Sequence, residues 1–126
     1  MTAVPPLERR LDLPALVGYA AATWDWYPTH YDPEAVAAAS LPAPLVDGQM
    51  LGALLAEQAL DWAPPGARVT RMRFRFRSMV FAGDAVRCES EVTSQEGRRL
   101  VLRQRVIAGE RVAIEDAELE LELPDR

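Results

Sequence analysis

The segment spanning residues 47–62 constrains this chain more than any other. Met50, Leu51, Leu54, Leu55, Gln58 and Trp62 mark one helical face, and Ala53, Ala56, Ala59 and Leu60 fill much of the remainder. A helix apolar nearly all round has no stable place on a surface, so the rest of the fold must enclose it. Asp47 can cap its start, and Pro64-Pro65-Gly66 stops it.

Beyond that stop the period changes from helical to alternating. Residues 69–80 set Arg71, Arg73, Arg75 and Arg77 against Met72, Phe74 and Phe76. Ala82-Gly83-Asp84 turns the chain into a strand over 85–93, with Val86, Cys88 and Val92 on its apolar side. Glu96-Gly97 leads to a strand over 100–107, and Gly109 to a last one over 111–123. That last strand places Ala113, Ala117, Leu119, Leu121 and Leu123 opposite Glu118, Glu120 and Glu122. Hairpin-linked strands with one apolar face form an antiparallel sheet covered on one side. The only cover available is helix 47–62. The sequence therefore predicts an α+β fold, a curved antiparallel sheet wrapped around one central helix, in a single domain over residues 1–126.

The N-terminal part is helical with loops. Residues 7–11 suit a short strand, and Asp12 followed by Pro14 opens a helix over 13–23. Residues 24–32 contain Pro28 and no clear period, so they read as a loop. A short helix follows over 33–39, then an extended proline-bearing stretch over 41–45.

Composition excludes several functions. One cysteine and one histidine rule out an internal disulfide and a Cys/His zinc site, and no carboxylate spacing matches a hard-metal site, so no metal is expected. The net charge is −5, every basic residue is arginine, and the first 67 residues hold two arginines against eight acids. A nucleic-acid partner is not expected of such a chain. No apolar run is long enough for a membrane span, and the first ten residues lack a secretory pattern, so a cytoplasmic location is expected.

Chemistry can sit in few places. Asp25 and the only histidine, His30, lie five apart in the proline-bearing loop. A turn there can bring carboxylate and imidazole together for acid–base work near neutral pH, although the same pair can be a structural contact. Val46-Asp47-Gly48-Gln49 starts the apolar helix, where free N–H groups favour developing negative charge. Gly48 lets a ligand approach, whereas Asp47 can occupy those N–H groups itself. The arginine row suits phosphate, or equally a solvated face paired with glutamates on neighbouring strands. Cys88 reads as core, because a buried thiol stays protonated. Trp24, Trp26, Tyr27 and Tyr31 either line a pocket or pack the loop.

Taken together, these residues resemble the MaoC-like dehydratase group of hotdog-fold proteins, which includes the R-specific enoyl-CoA hydratases. The family loop, Tyr-x-x-x-x-Gly-Asp-x-Asn-Pro-x-His-x-Asp, is matched from Tyr19 to Asp32 at Asp25, Pro28, His30 and Asp32. Its Val-His-Gly is similar to Val46-Asp47-Gly48, and its Pro-Val-Phe-x-Gly-Asp to the stretch from Met79 to Asp84. Trp24, Tyr27 and Asp47 stand where the family has glycine, asparagine and histidine. The chain also resembles small hydratase subunits acting on steroid side-chain CoA esters, which pair with a second hotdog chain.

The resemblance implies a hotdog fold and reversible hydration of a trans-2-enoyl thioester. It implies Asp25 and His30 as the catalytic pair, with Gly48, Gln49, Tyr27 and Trp24 around the substrate. No cofactor is implied beyond coenzyme A as part of the substrate, and the partner is a second copy or another hotdog subunit. Two other readings stay open: a thioesterase using Glu57 or Asp47, and a supporting subunit without activity.

Overall fold

The computed structural model describes residues 3–125. In chain order it contains β1 (Leu7–Arg10), α1 (Leu13–Thr23), a 3-10 turn (Pro28–His30), α2 (Pro33–Ala38), α3 (Gly48–Trp62), β2 (Arg68–Arg73), β3 (Ala85–Glu96), β4 (Arg99–Ala108) and β5 (Arg111–Glu122). The five strands form one antiparallel sheet in the order β1-β3-β4-β5-β2.

The sheet curls around α3. Leu51, Leu54 and Leu55 pack with Val86, Cys88, Val106 and Ile114 at one end. Ala59 and Ala63 pack with Leu100, Leu102, Leu119 and Leu121 at the other. Enclosure of α3 is incomplete: Ala53 and Leu60 remain exposed along one stripe. No helix is long and apolar enough to cross a membrane among the described residues.

A buried polar network fastens α3 to the sheet. Gln58 donates to the carbonyls of Pro5 and Cys88, at 2.8 and 3.0 Å, and accepts from Ser90 at 2.6 Å. Gln104 donates to the Leu55 carbonyl and to Ser90. Buried amides need such partners, because an unpaired one costs about 1–3 kcal/mol.

The strand expected over 69–80 keeps a regular ladder only to Arg73 and then holds a single bridge, Phe76 to Ile114. The cause lies in β5. Gln104 faces Ala117 but Val106 faces Ile114, so Glu115 and Asp116 together oppose Arg105. Asp116 takes a left-handed backbone, φ 54°. This is a β-bulge, and with a second register shift at Val106/Ile107 it leaves both Ala113, as the alternation expects, and Ile114 buried. After it Ala117, Leu119 and Leu121 point at α3; before it Ile114 does, which the simple alternation had missed. Two smaller differences concern helix ends: α3 begins at Gly48 with Asp47 as its cap, and α2 ends at Ala38.

The arginine row follows its solvated-face alternative. Arg73 pairs with Glu118 at 3.4 Å, and Arg77 with Glu115. Cys88 is fully buried, and burial pushes its thiol up to about 12.

Candidate active site

α1 carries the first part of the site. Asp12 caps it by accepting the Ala15 N–H at 3.0 Å. It ends at Trp24, whose backbone is left-handed with φ 56°, and the Asp25 N–H returns to the Ala20 carbonyl at 3.0 Å. That conformation favours glycine, and here a tryptophan adopts it. The turn aims Asp25 back across the end of α1.

The 3-10 turn then presents His30, and this loop is stitched to the rest of the fold. The Leu45 N–H donates to the Thr29 carbonyl at 2.9 Å, and His30 Nδ1 lies 2.6 Å from the Leu45 carbonyl. A carbonyl only accepts, so Nδ1 carries a hydrogen and Nε2 is the nitrogen turned toward the site. Val46, one residue on, bonds to the Val80 carbonyl at 2.8 Å, which ties the same stretch to the Val80–Asp84 corner. Asp84 closes that corner by accepting the Phe81 N–H and pairing with Arg111.

α3 supplies the third part. Asp47 Oδ1 accepts the Gln49 N–H at 2.9 Å, which leaves the Gly48 N–H as the first orphan donor of the helix. The other oxygen, Oδ2, lies 4.0 Å from His30 Nε2. One ligand atom each from Asp25, His30 and Asp47 falls within 4.8 Å of the others. The loop, the turn and the helix cap therefore meet at one point beside the α3 N-terminus. The side chains of His30 and Asp47 are only 12% and 14% exposed, while Asp25 faces solvent. Burial raises the Asp47 carboxyl above its ordinary value, and the neighbouring Asp25 carboxyl raises it further; the Gln49 N–H and His30 oppose this. Tyr19 is also raised, by burial first and then by the charges of Asp47 and Asp25.

Around this point Leu16, Tyr19, Ala20 and Met50 close in on His30 and Asp47, leaving a crevice too tight for a water molecule. Tyr19 opens the family loop pattern but is not among the expected site residues, and Met50 carries no sequence signal beyond helical spacing. Tyr27 is 62% exposed with its ring centroid 5.9 Å from that of His30, and Trp24 is 80% exposed, edge-on to Trp26. Gln49 points to solvent. At Gly48 a Cβ would lie 2.2 Å from Phe76 Cζ, so a phenyl ring fills the space the glycine leaves. Glu57 stands apart: it is about 14 Å further along the helix and pairs with Arg9 at 2.5 Å.

Asp25 and His30 share one loop, but Asp47 joins them only through the fold, so the sequence spacing showed no three-group set. The same three groups suit proton transfer: a solvent-facing carboxylate, a fixed imidazole lone pair and a half-enclosed carboxyl.

Comparison with known proteins assigns the family. The MaoC-like domain model matches residues 5–113, and the chain belongs to that family. It is 30% identical over 89 residues to an (R)-specific enoyl-CoA hydratase of Aeromonas caviae, covering 70% of this chain and 66% of that protein. It is 32% identical over 68 residues to a mitochondrial 3-hydroxyacyl-[acyl-carrier-protein] dehydratase of Arabidopsis thaliana, covering 54% of this chain and 40% of that one. The chain thus spans less than two thirds of each of these curated relatives. Among solved structures, the (R)-hydratase of A. caviae involved in PHA biosynthesis aligns with TM-score 0.89 and 26% identity, covering 98% of both chains. The ChsH1-ChsH2 complex of Mycobacterium tuberculosis aligns with TM-score 0.91 and 23% identity, covering 98% of this chain and 96% of that one. The curled sheet around α3 is the hotdog fold.

Proposed function

We propose that this chain is a hydro-lyase subunit that reversibly adds water across the double bond of a trans-2-enoyl thioester, with coenzyme A as the carrier. One observation carries the reading: Asp25 and the Nε2 lone pair of His30 converge beside the free Gly48 N–H. The names of the relatives, an enoyl-CoA hydratase and a hydroxyacyl dehydratase, favour the same chemistry.

A water held between Asp25 and His30 gives its proton to the Asp25 carboxylate as its oxygen attacks C3. His30 Nε2 accepts the water's other hydrogen and fixes its orientation. Charge then flows to the thioester oxygen, where the Gly48 N–H and the helix dipole meet it. Protonation at C2 completes the 3-hydroxyacyl thioester.

The crevice between His30, Asp47 and α1 has no room for even a water molecule, against the roughly 300–1,000 Å³ of a small-molecule site. The acyl chain therefore lies against surface that a second hotdog subunit covers. Names of structural neighbours, ChsH1-ChsH2 and HadBC complexes, fit that arrangement.

The test follows the ultraviolet absorbance of the conjugated enoyl thioester, with the chain purified in its native assembly. Hydration by wild type, lost in Asp25→Asn and in His30→Ala with folding intact, is the expected result. Unchanged turnover in either variant refutes the assignment. Release of free coenzyme A thiol would point to a thioesterase instead.

A further inference from the structure

Asp47 is the group the family resemblance leaves without a role, since histidine stands there in the family pattern. Its geometry gives it one. Oδ1 is committed to the Gln49 N–H. Oδ2 lies 4.0 Å from His30 Nε2, and a carboxylate oxygen of Asp47 comes within 4.8 Å of one of Asp25. Neither carboxylate can donate to the other unless one carries a proton. The groups facing Asp47 are Tyr19 from α1, Asp25 from the turn after it, His30 from the 3-10 turn and the Gln49 N–H from its own helix. No arginine lies among them to hold both carboxyls ionised. His30 cannot donate through Nδ1, which is taken by Leu45.

We propose that Asp25 and Asp47 work as a one-proton pair, in which Asp47 holds the proton in the substrate complex and is the acid that delivers it to C2. This rests on the hydratase reading and deepens it. The balance closes without a further reactant. Asp25 takes one proton from water while the new C–O bond forms at C3. The electron pair of the double bond moves toward the thioester, and C2 takes a proton from the Asp47 carboxyl. Asp25 is then protonated and Asp47 ionised, and one proton passing from Asp25 to Asp47 restores the start. A bound thioester displaces water from this corner and adds to the burial that already raises Asp47.

Asp47→Asn keeps the helix cap, because an asparagine oxygen still accepts the Gln49 N–H. It removes the transferable proton. Turnover is expected to fall by about 10²–10⁴-fold, the usual contribution of a general acid. The alkaline limb of the kcat profile, which reports ionisation in the substrate complex, should vanish with it. Carbon-13 NMR titration of the aspartate carboxyls reads the pair without any substrate, and the Asp47 midpoint should move down in Asp25→Asn. An unmoved midpoint overturns the pair. So does an Asp47→Asn enzyme with wild-type turnover and the same alkaline limb. If wild type hydrates no enoyl thioester while the midpoint moves as expected, the proton sharing stands and the reaction assigned to the site falls.

Discussion

Replacing Gly52 by alanine sets two known effects against each other. Gly52 lies inside α3, where alanine is favoured over glycine by about 1 kcal/mol. Its added Cβ would sit 2.6 Å from Phe74 Cζ and 2.9 Å from Cε1. Carbon atoms at rest sit about 3.5–4.0 Å apart, so the overlap is near 1 Å. Phe74 cannot simply swing aside. It is half-buried against the core and stands edge-on to Phe76, with ring centroids 5.6 Å apart. Overpacking of this kind costs about 1–3 kcal/mol, so a net loss of up to about 2 kcal/mol is expected. In a Phe74→Leu background the ring tip is gone, and the same substitution should be neutral or stabilising by up to about 1 kcal/mol. Urea denaturation followed by circular dichroism on the four proteins gives the coupling. A Gly52→Ala effect of equal size in both backgrounds would refute the steric account, because distant or independent changes add.

Leu55→Ala empties a fully buried position under the sheet and should cost about 3–5 kcal/mol in the same denaturation assay; a loss under 1 kcal/mol would mean that α3 is not held in the core. Cys88 should resist alkylation at pH 8 in the native protein and react in denaturant; equal rates would place the thiol at the surface. Its folded ionisation is raised from 9.0 to about 12, so the unfolded chain gives up the proton first. Stability should therefore fall as pH rises above 9, and less steeply in Cys88→Ala. Asp47, also raised, follows the same sign from a lower start: its ionised form destabilises the fold once pH climbs past its ordinary 3.8. Asp47→Asn should thus gain stability over wild type at pH 7 relative to pH 3, and a thermal-melting series reads the difference.

Much of this molecule follows from local chemistry. The apolar helix, the hairpin turns, the Asp12 cap and the closeness of Asp25 to His30 all rest on residues near one another in sequence. The features that escaped rest on distant partners or on one backbone angle. Nothing in the alternating run of β5 marks Asp116 as the bulge, since aspartate tolerates a left-handed backbone without announcing it. That bulge and a second register shift beside Ile114 bring Ile114 into the core together with Ala113. Asp47 reads locally as a cap, which it is; that its carboxylate also comes near His30 and Asp25 depends on where the fold puts the start of α3. Glu57 looked available for chemistry until the fold brought Arg9 to it.

The outer strand carries a consequence for assembly. β2 bonds to β5 on one side and has an open backbone edge on the other, and Arg71 and Arg75 form no ion pair among the described residues. Two identical copies laid antiparallel along that border would set guanidinium against guanidinium, and like charges directly opposite repel. The border thus discourages stacking with itself and welcomes a strand whose facing side chains are acidic. The guanidinium row along that edge therefore bears on the charge that a pairing strand must carry.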